Sequence, residues 1–470
     1  MHYSPGLQLN RKADLAERLL SSENVRRFLL LFVVLVSTLV VRTISAANRE
    51  PLQRPNVILV VAEEFGYGDL GVNGQTHFKT PRLDQFASDG LRFTNYYAGG
   101  SVGVVSRGTM LTGKHTGHAR VRGNRDLALA SLDTTLGELA KQAGYHTGAI
   151  GKWGLGGPGS SGIPTVKGFD EWFGYLDEAS ATNHYPVTLW RNQTSLLWDK
   201  NSNGQQEEYA PYLFTKAATN FVTLNHQRPF FLYLAYPLPA APLQSPTDKP
   251  YKTKDWPKEQ KTLAAMIYRL DRDIGKIVDA LKHHQIDKNT VVIFTSATGP
   301  HADEGINPDF FNSTGGHRGK KGDLYEGGIR VPMLVRWPGQ IKAGRTSDHL
   351  CASWDLYPTI ANLMGLADFD SGDGISLTPT FLGRRQTRHP FLYWERHGDE
   401  GFAQAVRSGD WKAVKVGQSP ALELYHLGRD PGEKTDVSAR YRRTARKMER
   451  YFTTARTPSK DWPTSKDGAK

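Results

Sequence analysis

A chain of 470 residues is long enough for one large domain and a smaller one. Its 39% hydrophobic and 23% charged residues are those of an ordinary globular protein and exclude a fibrous or wholly disordered chain. The net charge of +12 suits contact with polyanions such as sulfated or acidic polysaccharides, and the single cysteine, Cys351, excludes an internal disulfide framework.

In chain order, Arg26 and Arg27 precede an apolar run from Phe28 to Val41, and Ser45-Ala46-Ala47 follow. This basic, apolar, small-residue order predicts a secretory signal peptide over residues 1–47, with an uncleaved anchor as the other reading. The run is short for a bilayer span, so no integral membrane segment is expected after its removal. The chain is expected to be exported, to a periplasm, a cell surface or the medium. Loss of residues 1–47 removes six basic and three acidic groups and leaves +9.

Residues 48–382 read as an α/β domain. Asn56 to Ala62 is an unbroken, β-branched apolar run, the pattern of a strand buried on both faces of a parallel sheet. Thr80-Pro81 opens a helix that Gly90 closes. Thr147 to Ile150, Phe230 to Ala235 and Val291 to Thr295 predict further strands. Between the last two, Leu263, Ile267, Leu270, Ile274, Ile277 and Leu281 recur at helical spacing. Such alternation argues a sheet with helices on both faces. Residues 383–456 read as a smaller unit, with strands near Phe391–Trp394 and Trp411–Val416 and a basic amphipathic helix near Arg440–Arg456. Residues 457–470 carry little apolar content and are expected to lack fixed structure. No fixed-period repeat is present, which excludes solenoids and propellers.

Ligands of an open α/β sheet bind beyond the carboxyl ends of the strands. The residues there are Glu63-Glu64, Lys152-Trp153-Gly154, Pro239-Ala240-Ala241-Pro242 and Ala297-Thr298. They offer two acids, one lysine and little else.

The segments RPNVILVVAEEFGYGDLG, SRGTMLTGKHTGH, GYHTGAIGKWGLG, GFDEWFGYL, RPFFLYLAYPLPAAPLQSP, FTSATGPH, GKKGDLYEGGIRVPMLVRWPG and ELYHLGRDPGEKTDV occur in an order that resembles the sulfatase family, close to bacterial arylsulfatases. The resemblance runs from Arg54 to about Val437. It implies the alkaline-phosphatase-like fold, a large, mostly parallel sheet flanked by helices with a small C-terminal antiparallel sheet and one helix. It also implies a calcium ion on oxygen ligands, a nucleophile made from the cysteine of C-x-P-S-R, and basic groups around the sulfate.

Matched to that pattern, the nucleophile position is Gly103, and the two histidine positions are Gly154 and Ala240. The paired aspartates are Glu63 and Glu64, and a later aspartate–asparagine pair is Ala297-Thr298. Arg107, Lys152 and Lys321 remain as an anion-binding set. Ser106 is expected to cap the helix that follows it. With two ligands lost, no cofactor is expected, or else a weakly held calcium, with Glu63 and Glu64 turning to Arg107, Lys152 or Lys321. The expectation is a catalytically inactive member that binds sulfated or acidic glycans, with no nucleic-acid partner. The alternatives are an arylsulfatase-like or phosphatase-like hydrolase with a different nucleophile, and a scaffold protein without a small ligand.

Overall fold

A strand buried on both faces needs an apolar residue at nearly every position. Asn56–Glu63 meets that condition and forms β1, all eight residues buried, in the computed structural model, which describes residues 54–398, 401–417 and 421–464. The segment expected to be a signal peptide lies outside the described residues. Among the described residues no helix is long and apolar enough to cross a membrane.

Four more strands run parallel to β1: β2 (His146–Lys152), β3 (Glu171–Tyr175), β4 (Phe230–Pro239) and β5 (Thr290–Ser296). Their order is β5-β1-β4-β2-β3, at the centre of a ten-stranded sheet. The antiparallel strands lie outward of these five. Met333–Arg336 pairs with β5 on one side, and the hairpin Thr188–Arg191/Thr194–Leu197 continues from β3 on the other.

The two-residue period of β1 divides the core. Val57, Leu59 and Val61 pack into one apolar cluster, and Ile58, Val60 and Ala62 into a second on the opposite face. Helix α1 (Pro81–Ser88) begins at Pro81 with Thr80 before it, as expected. Helix α2 (Gly103–Thr112) sends Val104, Met110 and Leu111 to the first cluster. Helix α3 (Lys258–His283) sends Leu263, Ile267, Leu270, Ile274, Ile277 and Leu281 to the second. Each such side chain contributes about 1.5–3 kcal/mol on full burial, so both faces are strongly anchored. Ser106 does not cap a helix. The helix starts three residues earlier, with Val102 at the cap, and Ser106 Oγ inside α2 accepts from Gly99 N–H at 2.9 Å.

The C-terminal part is an antiparallel meander of β6 (Leu392–Arg396), β7 (Ala403–Ser408), β8 (Trp411–Val416) and β9 (Glu423–His426). Trp394, Ala405 and Val414 face the large sheet's side with Tyr97 and Trp354. Tyr393, Val406, Ala413 and Leu424 face Met448 and Phe452 of α4 (Arg442–Thr454). Lys412 of β8 is fully buried, its Nζ 3.0 Å from both Glu326 and Glu433. This is the architecture expected: a large, mostly parallel sheet with flanking helices and a small antiparallel sheet with one helix. Residues 457–464, expected to lack fixed structure, are held instead by Trp462, which is buried and donates from Nε1 to Arg120 O at 2.7 Å.

Candidate active site

The carboxyl ends of β1, β2 and β5 and the first turn of α2 meet in one cluster of charges. Glu63 closes β1 and Glu64 follows it in a left-handed conformation, φ 65°. Arg107, one turn into α2, is fully buried. Its Nη1 lies 2.5 Å from Glu63 Oε2, its Nη2 contacts Glu178 Oε1, and its Nε donates to Trp153 O at 3.0 Å. Lys152, the last residue of β2, places Nζ 2.8 Å from Glu178 and 3.6 Å from Glu63. Lys321 Nζ lies 2.6 Å from Glu64 and 2.9 Å from Asp303. His301 Nδ1 stands 4.0 Å from Glu64. All five charged residues singled out in the sequence are thus in the cluster, joined by Glu178, His301 and Asp303.

The two glycines at emptied positions are explained by these carboxylates. A β-carbon on Gly103 would overlap Glu63 Oε1 and stand 2.7 Å from its Cδ. A β-carbon on Gly154 would overlap Glu178 Oε1, and Gly154 also has φ +73°. Carboxylate oxygens therefore occupy the space where larger side chains at 103 and 154 would begin. Ala240 is buried beyond the end of β4 and offers no polar atom.

The two neighbouring acids sit in opposite electrostatic settings. Burial works against ionisation of Glu63, yet Arg107 and Lys152 hold its carboxyl below the usual range. Burial pushes Glu64 up to about 7 against the pull of Lys321, and the charge of Glu63 adds to the rise. Burial lowers His301 to about 4, so its ring is neutral at pH 7. Its Nδ1 accepts from Asp303 N–H at 3.1 Å, which leaves the proton on Nε2. Glu178, about one third exposed, is the least confined of the cluster's glutamates.

A calcium at the position implied by the family pattern does not fit these residues. Ala297 has no side-chain donor, Thr298 Oγ1 is turned to Gly299 O at 3.1 Å, Glu63 is held by Arg107 and Glu64 Oε1 by Lys321, so of these donors Glu64 Oε2 alone is left without a partner. Glu64, His301 and Asp303 bring three donors within 4.8 Å of one another, but Lys321 Nζ already bridges two of them. A second group, His115, His118 and Asp373, lies apart from the site. There His115 Nδ1 accepts from Gly117 N–H at 3.1 Å, so the proton sits on Nε2, the nitrogen 3.6 Å from Asp373. That nitrogen donates rather than ligates.

Against known proteins, the sulfatase family model matches residues 55–366, and the model described as N-sulphoglucosamine sulphohydrolase, C-terminal, matches 318–457. The chain belongs to the sulfatase family. It is 27% identical to an N-acetylgalactosamine-6-O-sulfatase of Bacteroides thetaiotaomicron, over 87% of this chain and 94% of that one. It is 30% identical to human arylsulfatase G, over 77% and 76%. Among solved structures, that of Ps i-CgsB in complex with k-i-k-neocarrahexaose superposes with a TM-score of 0.75 at 31% identity, covering 86% of this chain and 93% of that one.

These relatives correct the expectation of an inactive protein. Proteins about 30% identical along most of their length are named as sulfatases. The glycine at 103 removes one kind of nucleophile; it does not remove the anion-binding cations or the acids beside them. Three members of the cluster escaped the sequence reading. Glu178 lies three residues beyond β3, and His301 and Asp303 lie five and seven residues beyond β5. The strand-end rule that marked Glu63 and Glu64 extends to His301 and Asp303, which follow an expected strand, but not to Glu178, which follows a strand the sequence pattern hides.

Proposed function

We propose that this sulfatase-family chain hydrolyses sulfate esters of a carbohydrate, with water as the nucleophile in place of a formylglycine. The observation that carries the reading is a pair of adjacent carboxylates shifted in opposite directions, Glu63 lowered and Glu64 raised to about 7, set among Arg107, Lys152 and Lys321. Carboxyl groups whose environments drive their pKa values apart are suited to serve as a base and an acid. Glu178 swings out, and the sulfate takes its place on Arg107 and Lys152. Glu63, whose Oε1 fills the space beside Gly103, receives a proton from water as its oxygen attacks sulfur. Glu64 gives its proton to the sugar oxygen as the S–O bond breaks. The products are the free alcohol and hydrogen sulfate, and the proton on Glu63 returns to Glu64 through solvent. His301 Nε2–H and Lys321 stabilise the charge on the departing oxygen.

A carbohydrate ester is favoured by the names of the relatives, which act on N-acetylgalactosamine sulfates or are bound to a carrageenan fragment. No metal enters the scheme. The reading takes residues 1–47 as an export signal, 48–382 as the catalytic domain and 383–456 as a smaller domain beside it, with the protein working outside the cytoplasm. The test is sulfate release from sulfated galactose and N-acetylgalactosamine oligosaccharides by wild type and Arg107→Ala. Loss of one preorganised charge contact in such a site lowers kcat by about 100-fold or more. Turnover by Arg107→Ala equal to wild type would overturn the reading.

A further inference from the structure

Helix α4 presents a face whose charge the fold does not use. Its 13 residues, RRTARKMERYFTT, hold Arg442, Arg443, Arg446, Lys447 and Arg450 against a single acid, Glu449. All five cations are exposed. Among the described residues no carboxylate lies within ion-pair distance of any of them; Arg442 makes only a 3.3 Å contact from Nε to Ala439 O. Helical spacing sorts them into two rows, Arg442–Arg446–Arg450 and Arg443–Lys447, with neighbours in a row about 6 Å apart along the axis. Three like-charged pairs at i,i+4 weaken a helix. The helix keeps them because Met448 and Phe452 anchor its other side on the small sheet, among Tyr393, Val406, Ala413 and Leu424.

We propose that this face binds a sulfated polysaccharide chain, outside the active site, and holds the polymer against the protein. The partner's chemistry follows from the surface. A rigid double row of unpaired cations fits a linear polyanion with charges repeating at a few ångströms. Arginine, four of the five, grips sulfate oxygens through its planar fork. An anionic membrane fits less well, because the apolar side of α4 is already buried and no greasy face remains to enter a bilayer. The site is independent of turnover at Glu63 and Glu64, so its test needs no catalysis.

The test is binding of the full protein to immobilised dextran sulfate, with uncharged dextran and phosphatidylserine vesicles alongside. Wild type is expected to bind dextran sulfate and not dextran, with affinity falling at least about tenfold between about 50 and 200 mM salt, as counterion release requires. Arg442→Gln/Arg446→Gln/Arg450→Gln is expected to bind about tenfold more weakly at the lower salt with a melting midpoint no lower than that of wild type, whereas the three arginine-to-lysine changes retain most of the affinity. Arg446→Gln alone gives a smaller loss and serves if the triple variant does not fold. Glutamine variants that bind dextran sulfate as tightly as wild type would overturn the proposal. So would tighter binding to vesicles than to dextran sulfate.

Discussion

Replacing Gly103 by alanine tests whether Glu63 stands where the geometry puts it. The new methyl would overlap Glu63 Oε1 and approach Arg107 Nη1 to 2.9 Å. Both atoms are buried, and Glu63 is held at once by Arg107 and Lys152. Overpacking of this kind costs about 1–3 kcal/mol, and separating a buried ion pair costs about 3–5 kcal/mol. Part of the strain relaxes through Glu63, and alanine gains up to about 1 kcal/mol as a helix former. A net loss of about 3 kcal/mol is expected. Gly108 in the same helix is the control, since a β-carbon there would meet only Leu155 Cδ2 at 3.5 Å and Val121 Cβ at 3.7 Å. Gly108→Ala is expected to be neutral or to stabilise by up to about 1 kcal/mol. Urea denaturation of both variants followed by circular dichroism gives the comparison. If Gly103→Ala is as stable as Gly108→Ala, the carboxylate is not packed against position 103 and the reasoning fails.

Glu178→Gln removes the more exposed of the two carboxylates on Arg107 and Lys152, the one a ligand displaces; Glu63 stays in place. Inorganic sulfate is expected to bind about tenfold more tightly, a gain of about 1.4 kcal/mol, by calorimetric titration; unchanged or weaker binding would refute the exchange. Lys412→Met leaves Glu326 and Glu433 facing each other in the interior. It should destabilise the protein by about 3–5 kcal/mol, read from the urea midpoint, with near-wild-type stability as the contrary result. Glu64 must carry its proton to act as an acid, so kcat/KM is expected to fall as pH rises through about 7. In Glu64→Gln that limb disappears, and a limb that persists there belongs to another group. The same raised pKa contributes stability that is fully present below the ordinary 4.5 and is lost as pH rises through about 7.

The centre of the fold was legible because its strands are unbroken apolar runs and α3 keeps one apolar stripe through six positions. The short outer strands Leu91–Phe93 and Arg345–Ser347 were not, since three residues paired by neighbours distant in sequence leave no periodic pattern. Trp462 shows the same limit: a lone aromatic in a polar tail gives no local sign of the surface it docks on. At the site, Glu63, Glu64, Arg107, Lys152 and Lys321 were visible from strand ends and motif register. Glu178 was not, because β3 opens on the exposed Glu171 and contains Gly174, which hides it as a strand. The glycines at 103 and 154 read as losses in the sequence. Only the packing shows that Glu63 and Glu178 occupy the space they leave.

The most direct measurement is of inorganic sulfate released from a 6-sulfated N-acetylgalactosamine oligosaccharide. Wild-type protein, made in a host without the formylglycine-generating enzyme, is run beside Glu63→Gln. Sulfate released by wild type and largely lost in the variant is the result the account predicts; no release by wild type beyond that of Glu63→Gln would contradict it.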